Sequence, residues 1–162
     1  MLKMDGMRLR KAMGQYGTGI AVATTLDGDG APHGLTINSF NSVSLDPPLV
    51  LWSLSHKSGN LNAFSQSGHF AINVLSQQQK EISVRFATPE ADRFTDTDWH
   101  QGETGSPLLR DVVACLECKV EQMVEGGDHV IFIGRVVAAT HLELPPLLYH
   151  GGAYHSLGPA LD

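Results

Sequence analysis

The sequence contains no cluster of basic residues. It has 11 Lys and Arg against 17 Asp and Glu among 162 residues, which gives a formal net charge of -6 at pH 7. Proteins that bind nucleic acid without specificity neutralise several phosphates with grouped Lys and Arg side chains. The composition therefore argues against a general nucleic-acid binder, although a few backbone N–H groups are enough to hold a small anionic ligand.

Long apolar runs are missing as well. No stretch approaches the ~20 apolar residues of a membrane-spanning helix, and the N-terminal segment MLKMDGMRLRKAMGQY has no apolar run of signal-peptide length. We therefore expect no membrane association and a cytoplasmic location. The sequence also has no G-x-G-x-x-G after a strand and no G-x-S-x-G, so neither a Rossmann dinucleotide-binding fold nor an α/β-hydrolase is supported.

Cysteine is scarce, and the histidines are scattered. The two cysteines, Cys115 and Cys118, have the spacing C-x-x-C, which in a strand points their side chains to opposite faces. We therefore predict core packing for both and not a zinc site. The eight histidines show neither H-x-x-x-H nor 2-His-1-carboxylate spacing on one element, so no metal site is predicted.

Glycine and proline, by contrast, are frequent. The 17 glycines and 8 prolines indicate many turns, and 42% hydrophobic residues suffice for the core of a single domain, predicted over residues 1–162. Strands are predicted at 19–26, 35–45, 49–55, 70–75, 112–125 and 130–139, with a short closing strand pair within 145–157. Short helices are predicted at 4–16, at 57–65 with Ser58 as N-cap, and at 77–87, and a polar excursion at 88–106. Short links between strands favour a mainly β (α+β) fold, a small antiparallel β-barrel.

The segment GLTINSFNSVSLDPPL, residues 34–49, mixes strand-forming residues with short polar ones. Hydroxyls, amides and backbone groups suit a phosphate or a flat polar heterocycle such as a flavin without needing Lys or Arg. The same composition also occurs on a solvent-facing strand edge, so composition leaves both interpretations open. Asp46-Pro-Pro by itself marks only the end of a strand.

Motifs along nearly the whole chain carry a resemblance to a known family. They are GIAVATT (19–25), HGLTINSFNSVSLDPPLVLWSL (33–54), SGNLNAFSQSGHFAINVLS (58–76), RFA (85–87), DRF (92–94), PLL (107–109), ACLECKV (114–120), GDHVIFIGRV (127–136) and PLLYHGGAY (146–154). In this order they resemble the short-chain flavin reductases, the reductase components of two-component flavin-dependent monooxygenases. The resemblance implies an FMN-binding split β-barrel that forms a homodimer.

The resemblance also implies site residues. Those matching the stretch beside the flavin ring and its continuation towards the ribityl chain are Thr36, Ile37, Asn38, Ser39, Ser42, Val43 and Ser44. Those matching the segment at the ribityl–phosphate end are Ser53, Leu54, Ser55, Ser58 and Asn60. Arg85 and Arg93 either complete this pocket or form surface ion pairs. His129 matches the motif for nicotinamide binding, with a turn histidine as the alternative. His150 and Tyr154 match the C-terminal segment that approaches both ligands.

The implied reaction is hydride transfer from NADH or NADPH to FMN or FAD, which supplies reduced flavin to a partner oxygenase. Two alternatives stay open: a non-catalytic flavin-binding module, and a split-barrel oxidoreductase that keeps its flavin tightly bound. The sequence does not decide between FMN and FAD, between NADH and NADPH, or among oxygenase substrates. The apolar run at residues 49–52 adds modest support for a dimer.

Overall fold

The computed structural model describes residues 5–89 and 91–161. The helices in this part of the chain are α1 (Gly6–Met13), α2 (Leu61–Ser67), a 3-10 helix (Gln77–Gln79) and α3 (Lys80–Ala87). The strands are β1 (Thr18–Gly19), β2 (Ala21–Leu26), β3 (Pro32–Ile37), β4 (Asn41–Leu45), β5 (Pro48–Ser55), β6 (His69–Val74), β7 (Trp99–Gln101), β8 (Pro107–Leu109), β9 (Ala114–Gly126), β10 (His129–His141), β11 (Leu147–His150) and β12 (Ala153–Ser156). None of these helices is long and apolar enough to cross a membrane.

Most strands belong to one large antiparallel sheet. Its order is β3-β2-β6-β9-β10-β5-β4, and beside it lie a three-stranded sheet, β1-β11-β12, and the β7–β8 hairpin. Neighbours in sequence pair as hairpins at β2–β3, β4–β5, β9–β10 and β11–β12. The prediction of a mainly antiparallel β fold with a few short helices is confirmed.

The large sheet is strongly curled. Strands β3 and β4 are its two edges, yet only Asn38, Ser39 and Phe40 separate them in sequence. In a flat sheet six strand spacings would put these edges roughly 29 Å apart, whereas four Cα–Cα steps reach at most about 15 Å. The Ser39 hydroxyl fixes this link to β5: it accepts from Ser53 N at 3.0 Å and donates to Ser53 O at 3.3 Å. The sheet is not closed by a ladder between these edges, and its curl is consistent with the predicted split-barrel fold.

The inner face of the curled sheet encloses an aromatic core. The rings of Trp52 and Phe132 stack with centroids 4.9 Å apart, and Phe64 of α2 and Phe70 of β6 meet the Trp52 indole edge-on at 4.9 and 5.7 Å. All four side chains are fully buried. Edge-to-face and offset-stacked rings at these distances add to the stability that comes from buried area alone.

A second core lies on the outer face of β2, β6 and the start of β9. Side chains from α3, β8 and β11 cover it, among them Phe86, Leu109 and Leu147. The two cysteines lie on opposite faces of the sheet, as predicted. Cys115 packs in the outer core and Cys118 in the inner core. Burial raises the pKa of each thiol to about 12, so both remain protonated and are poor metal ligands at neutral pH.

The prediction of one strand over residues 35–45 is wrong. The chain leaves the large sheet after Ile37 at one edge and re-enters it at Asn41 on the other. Strand propensity is similar on both sides of this crossing, so the local pattern does not reveal it. The curled sheet imposes the break, because residues 38–40 must cross from its edge at β3 to its edge at β4.

The predicted helices exist, but their starts differ. The helix predicted at 57–65 begins only at Leu61 with Asn60 as N-cap, so the assignment of Ser58 as N-cap is wrong. The Ser58 hydroxyl accepts from Asn60 N at 3.2 Å inside a turn that precedes the helix. The first helix is α1, capped by the Asp5 carboxylate, and the predicted start at Met4 lies outside the described residues. The excursion at 88–106 contains the short strand β7.

Candidate functional site

A cavity of about 920 Å³ opens where β3, the loop between β5 and α2, the end of α3, Pro89 and residues 91–95 come together. We call it the main cavity. Four residues of the site predicted from the sequence line it: Thr36, Ser58, Asn60 and Arg93. These residues come from three separate parts of the chain, so the fold alone brings them together.

The neutral side chains in the main cavity are oriented by hydrogen bonds. The Thr36 hydroxyl donates to the Ser83 carbonyl of α3 at 2.6 Å, which leaves its oxygen free only to accept from a ligand. Ser58 accepts from the Asn60 backbone at 3.2 Å and keeps its own proton available. The site therefore presents both an acceptor and a donor.

Two lining residues were missed by the sequence reasoning. His33 lies between the Asp27 carboxylate, 2.9 Å from Nε2, and the Asn60 side-chain oxygen, 3.4 Å from Nδ1. This contact lowers the pKa of Asp27, because the carboxylate accepts the imidazole hydrogen bond. Lys57 is exposed and has no ion-pair partner among residues 5–89 and 91–161. The position of Lys57 next to Ser58 was the available signal for it. His33 had none, because its place at the cavity depends on Asn60, which is 27 residues away in sequence.

The two predicted arginines have different surroundings. Arg93 donates to Gly34 O at 2.6 Å and to Thr88 O at 3.0 Å, and desolvation lowers its pKa. Arg85 is absent from the lining of the main cavity and donates to Asp96 O at 2.7 Å and the Thr97 hydroxyl at 3.0 Å. Arg93 thus faces the cavity, while Arg85 holds the loop that borders it.

The residues of β5 offer an open strand edge. Strand β4 pairs with β5 only as far as Leu51, so beyond that point the edge of β5 is contacted by Ser39 at Ser53. The Leu54 side chain is buried in the inner core, so only its backbone is available to a ligand. Ser53 and Ser55 lie on the outer face, where both are half-buried.

Other predicted flavin residues lie away from the main cavity. Ile37 and Asn38 line a smaller, mostly apolar pocket of about 230 Å³ together with Phe40. Ser42, Val43 and Ser44 lie on the edge strand β4, and none of them lines either pocket. The buried Thr18 hydroxyl at the smaller pocket has no hydrogen-bond partner in the structure.

His129 begins β10 and lies directly opposite Ser55 of β5. Its Nδ1 is 2.7 Å from the Asp128 carboxylate, and this hydrogen bond lowers the pKa of Asp128. The turn is tied to the loop after β5, because His56 N donates to Asp128 O at 3.0 Å. The imidazole is 42% exposed and therefore accessible to a ligand.

The two C-terminal candidates differ in their contacts. The Tyr154 hydroxyl lies 2.9 Å from the Ser83 hydroxyl. The backbone carbonyl of Ser83 accepts a hydrogen bond from the Thr36 hydroxyl. Tyr154 is thus linked to the main cavity through α3. His150 is exposed, and its carbonyl accepts from His155 Nε2 at 3.2 Å.

The donor set fits a phosphorylated heterocycle. Neutral donors and acceptors, Lys57, Arg93 and the apolar ring of Phe94 line the main cavity together. Within the described residues no group of three or more His, Cys, Asp or Glu is placed to hold a metal ion. The site has the chemistry to orient a flat polar ligand and its phosphate.

Known proteins are similar to this chain in sequence and fold. The family model described as "Flavin reductase like domain" matches residues 13–158. An NADH-dependent FMN reductase of Agrobacterium fabrum is 44% identical over 90% of this chain and 82% of that protein. The reductase component of a flavin-dependent trigonelline monooxygenase of Acinetobacter baylyi is 44% identical over 95% of this chain and 51% of that protein. The solved NADH:FAD oxidoreductase of Streptomyces globisporus has a TM-score of 0.91 at 38% identity, covering 98% of this chain and 91% of that one.

The coverage of these relatives differs. The chain spans about half the length of the first two curated relatives it matches, 48% of one and 51% of the other. Other relatives are covered over most of their length. The shared part is therefore the flavin reductase-like domain itself.

Proposed function

The chain belongs to the flavin reductase-like family, and we propose that it is a flavin reductase that takes a hydride from NAD(P)H and supplies reduced flavin to a separate oxygenase. Relatives of this chain are named as reductases of this kind. We extend the proposal to one domain over residues 1–162. A cytoplasmic location fits a consumer of NAD(P)H whose two cysteines are unpaired.

One observation carries this proposal. The segment assigned to the flavin, Ser53–Asn60, and the histidine assigned to nicotinamide, His129, are about 70 residues apart in sequence. In the fold His129 lies opposite Ser55, and His56 N donates to the carbonyl of Asp128. This proximity places the nicotinamide histidine beside the segment assigned to the ribityl–phosphate end of the flavin, which supports adjoining binding sites for the two ligands.

The side chains of this protein would bind and orient the flavin ring and its phosphate. Thr36 offers an acceptor to a ring N–H, and Ser58 and Lys57 offer a hydroxyl and a cation to a phosphate. A bound flavin would supply the hydride-accepting ring, and NAD(P)H the hydride. No side chain needs to donate or remove a proton in that step, so fixed proximity is the protein's main contribution, worth on the order of 7–11 kcal/mol at best.

The proposal includes a homodimer. On the outer face of β5 and β10, Leu51 lies opposite Ile133, and Ile131 follows on the same face. These side chains are only half-buried, and β5 and β10 contact chiefly their neighbouring strands. Val43 on β4 extends this apolar surface and is 47% exposed. An apolar strip of this kind is typical of a subunit interface.

The test of the function is flavin-dependent oxidation of NADH and NADPH. Purified protein is mixed with each nicotinamide, with and without added FMN or FAD, and absorbance at the nicotinamide band is followed under anaerobic conditions. A flavin reductase oxidises the nicotinamide in proportion to added flavin over many turnovers. Flavin binding without oxidation would identify a carrier, and a single turnover of flavin that stays bound would identify an oxidoreductase with a tightly held flavin.

A further inference from the structure

Asn60 occupies the N-cap position of α2 but does not cap the helix. An asparagine at this position usually has an extended backbone, and its side chain accepts from a backbone N–H of the first helical turn. The Asn60 side chain makes no such hydrogen bond, and its backbone is helical, with φ -87° and ψ -10°. Asn60 lies instead at the main cavity, where it is half-buried. A contact other than helix capping therefore sets the direction of this side chain.

The group that holds the Asn60 side chain is His33 of β3. Its Nδ1 lies 3.4 Å from Asn60 Oδ1, although the two residues are 27 positions apart in sequence. Because an amide oxygen only accepts, Nδ1 is the donor in this contact. In the described part of the chain the side-chain nitrogen of Asn60 has no hydrogen-bond partner. Its two N–H groups therefore remain available for a ligand in the main cavity.

Asp27 holds the His33 ring from the other side. Asp27 Oδ2 lies 2.9 Å from His33 Nε2, and Oδ1 accepts from Asp29 N at 3.0 Å and from Ala31 N at 2.9 Å. The turn between β2 and β3 thus fixes the carboxylate, and the carboxylate fixes the imidazole. The ring makes both of its contacts when both nitrogens carry hydrogen. A ring bound at both nitrogens has one orientation, so it holds the Asn60 amide in one orientation as well.

We propose that Asp27 and His33 are positioning residues for the binding of the flavin phosphate. They turn the Asn60 side chain away from the helix and towards the main cavity, where its N–H groups donate to phosphate oxygens. The inference rests on the proposed function and adds two residues that act through Asn60. The effect is selective, because flavins that carry a phosphate depend on this pair and riboflavin, which has no phosphate, does not.

The substitution Asp27→Asn distinguishes positioning from simple electrostatics. A carboxylate near the cavity repels an anionic phosphate, so loss of its charge alone would strengthen phosphate binding. The side-chain oxygen of an asparagine still accepts from Asp29 N and Ala31 N, so the turn is kept. An amide N–H then faces His33 Nε2 in place of the carboxylate oxygen, which breaks the pair. Positioning therefore predicts weaker phosphate binding, the opposite sign.

The first experiment compares FMN with riboflavin in binding titrations followed by flavin fluorescence. Asp27→Asn is expected to raise the Kd of FMN about threefold to tenfold, the loss of one hydrogen bond, and to leave the Kd of riboflavin unchanged. Asp29→Asn is the matched control, because it removes the same charge from the same turn and the exposed Asp29 side chain has no ion-pair partner among the described residues. An unchanged or lower Kd of FMN in Asp27→Asn contradicts the proposal. Equal losses for FMN and riboflavin overturn it too, since they would make the pair purely structural.

The second experiment tests whether the effect passes through Asn60. Because the Asn60 side chain makes no capping hydrogen bond, Asn60→Ala is expected to fold and to weaken FMN binding by itself. Asp27→Asn should then add no further loss in the Asn60→Ala background, because both changes remove the same contact. Additive losses, or no loss in Asn60→Ala, overturn the proposal. His33→Leu removes both ring contacts, so it should reproduce the FMN-selective loss and replaces Asp27→Asn if that variant does not fold.

Turnover measurements separate this inference from the proposed function. The phosphate of a flavin is remote from the ring that accepts the hydride, so Asp27→Asn is expected to raise the half-saturating FMN concentration and to leave the rate at saturating FMN unchanged. A lower rate at saturation contradicts a positioning role confined to the phosphate. The binding titrations need no turnover. A protein that binds FMN with the expected selectivity but oxidises no NADH refutes only the proposed function, and one that reduces FMN equally well with Asp27→Asn refutes only this inference.

Discussion

The outer face of the curled sheet has two halves, one covered by other parts of the chain and one left partly exposed. Over β2 and β6 the chain covers its own sheet, and Val22, Ala71 and Asn73 are completely buried. Over β5 and β10 the corresponding side chains, such as Leu51 and Ile131, are only half-buried. The covered half serves stability. The uncovered half carries His129 and Ser55 and, in our proposal, the subunit interface.

Polar residues also have different roles on the two halves of the outer face. On the covered half, Asn73 donates to Val22 O and the Thr24 hydroxyl and accepts from Leu109 N, so its hydrogen-bonding groups serve the fold. On the uncovered side, Lys57 has no ion-pair partner in the part of the chain that is described. Buried polar groups must be paired, whereas unpaired groups at a cavity remain available for a ligand.

The largest expected effect comes from removing part of the cover. Leu147 of β11 is 3% exposed and packs on the covered half. Leu147→Ala is expected to lower the free energy of unfolding by about 2–5 kcal/mol, because it deletes buried methyl groups and leaves a cavity. Urea denaturation measures this loss. Leu157, which is 63% exposed, is the matched control. Equal losses for Leu147→Ala and Leu157→Ala would show that the cover does not stabilise the sheet.

The next effect concerns the uncovered half. Leu51→Arg places a charge in the apolar strip and is expected to weaken dimerisation at least about a hundredfold, or about 2.7 kcal/mol. Light scattering at micromolar concentration should then report a monomer, with circular dichroism unchanged. Val84→Arg is the control, because Val84 is an exposed residue on the covering helix α3. A wild-type monomer, or a dimer that Leu51→Arg leaves intact, contradicts the interface.

The two buried thiols, Cys115 in the outer core and Cys118 in the inner core, should make stability depend on pH above pH 9. Burial raises the pKa of Cys115 and Cys118 to about 12, above that of thiols in the unfolded chain. Below pH 9 both states keep the thiol proton, so this contribution to stability is constant. As pH rises from 9 towards 12, only the unfolded chain loses the proton, and stability falls by on the order of 1 kcal/mol per pH unit for each thiol.

Urea denaturation from pH 8 to pH 10.5 measures this slope in the wild type and in the Cys115→Ala and Cys118→Ala variants. Each variant is expected to lose stability less steeply with pH than the wild type. The remaining slope comes from the other groups that titrate in this range. Identical slopes in all three proteins would mean that the thiols do not titrate differently in the two states.

The smallest effect is expected at the nicotinamide side of the uncovered half. His129→Ala should leave flavin affinity nearly intact while slowing flavin reduction and raising the half-saturating NADH concentration about two- to tenfold, the loss of one good hydrogen bond. Stopped-flow reduction of bound flavin across a range of NADH concentrations measures both quantities. If both match the wild type, His129 is only a turn residue. A lower melting temperature with equal loss of flavin and NADH binding would make it structural.

Much of the fold was predictable from local pattern. The predicted strands at 49–55, 70–75 and 130–139 correspond to β5, β6 and β10, and the short links between strands predicted antiparallel pairing such as that of β2 with β3. The strand over 35–45 and the Ser58 N-cap were not correct. The chain crosses from one edge of the curled sheet to the other within the predicted strand, and a turn at Ser58 precedes the helix. For the site, Thr36, Ser58, Asn60 and Arg93 do line one cavity. His33 was out of reach, because its role depends on contacts with Asp27 and Asn60 across a hairpin and a loop.

By itself the sequence determined the strand-rich pattern, the opposite faces of Cys115 and Cys118, and the family resemblance, because these depend on residues close together in the chain. Tertiary structure decided which polar groups are free. The Ser39 hydroxyl is used on the Ser53 backbone, whereas the Thr36 oxygen is left to accept from a ligand. Two hydroxyls three residues apart look alike in sequence. Their availability is set by the partner that the curled sheet brings to each, and that partner lies 14 residues away for Ser39 and 47 for Thr36.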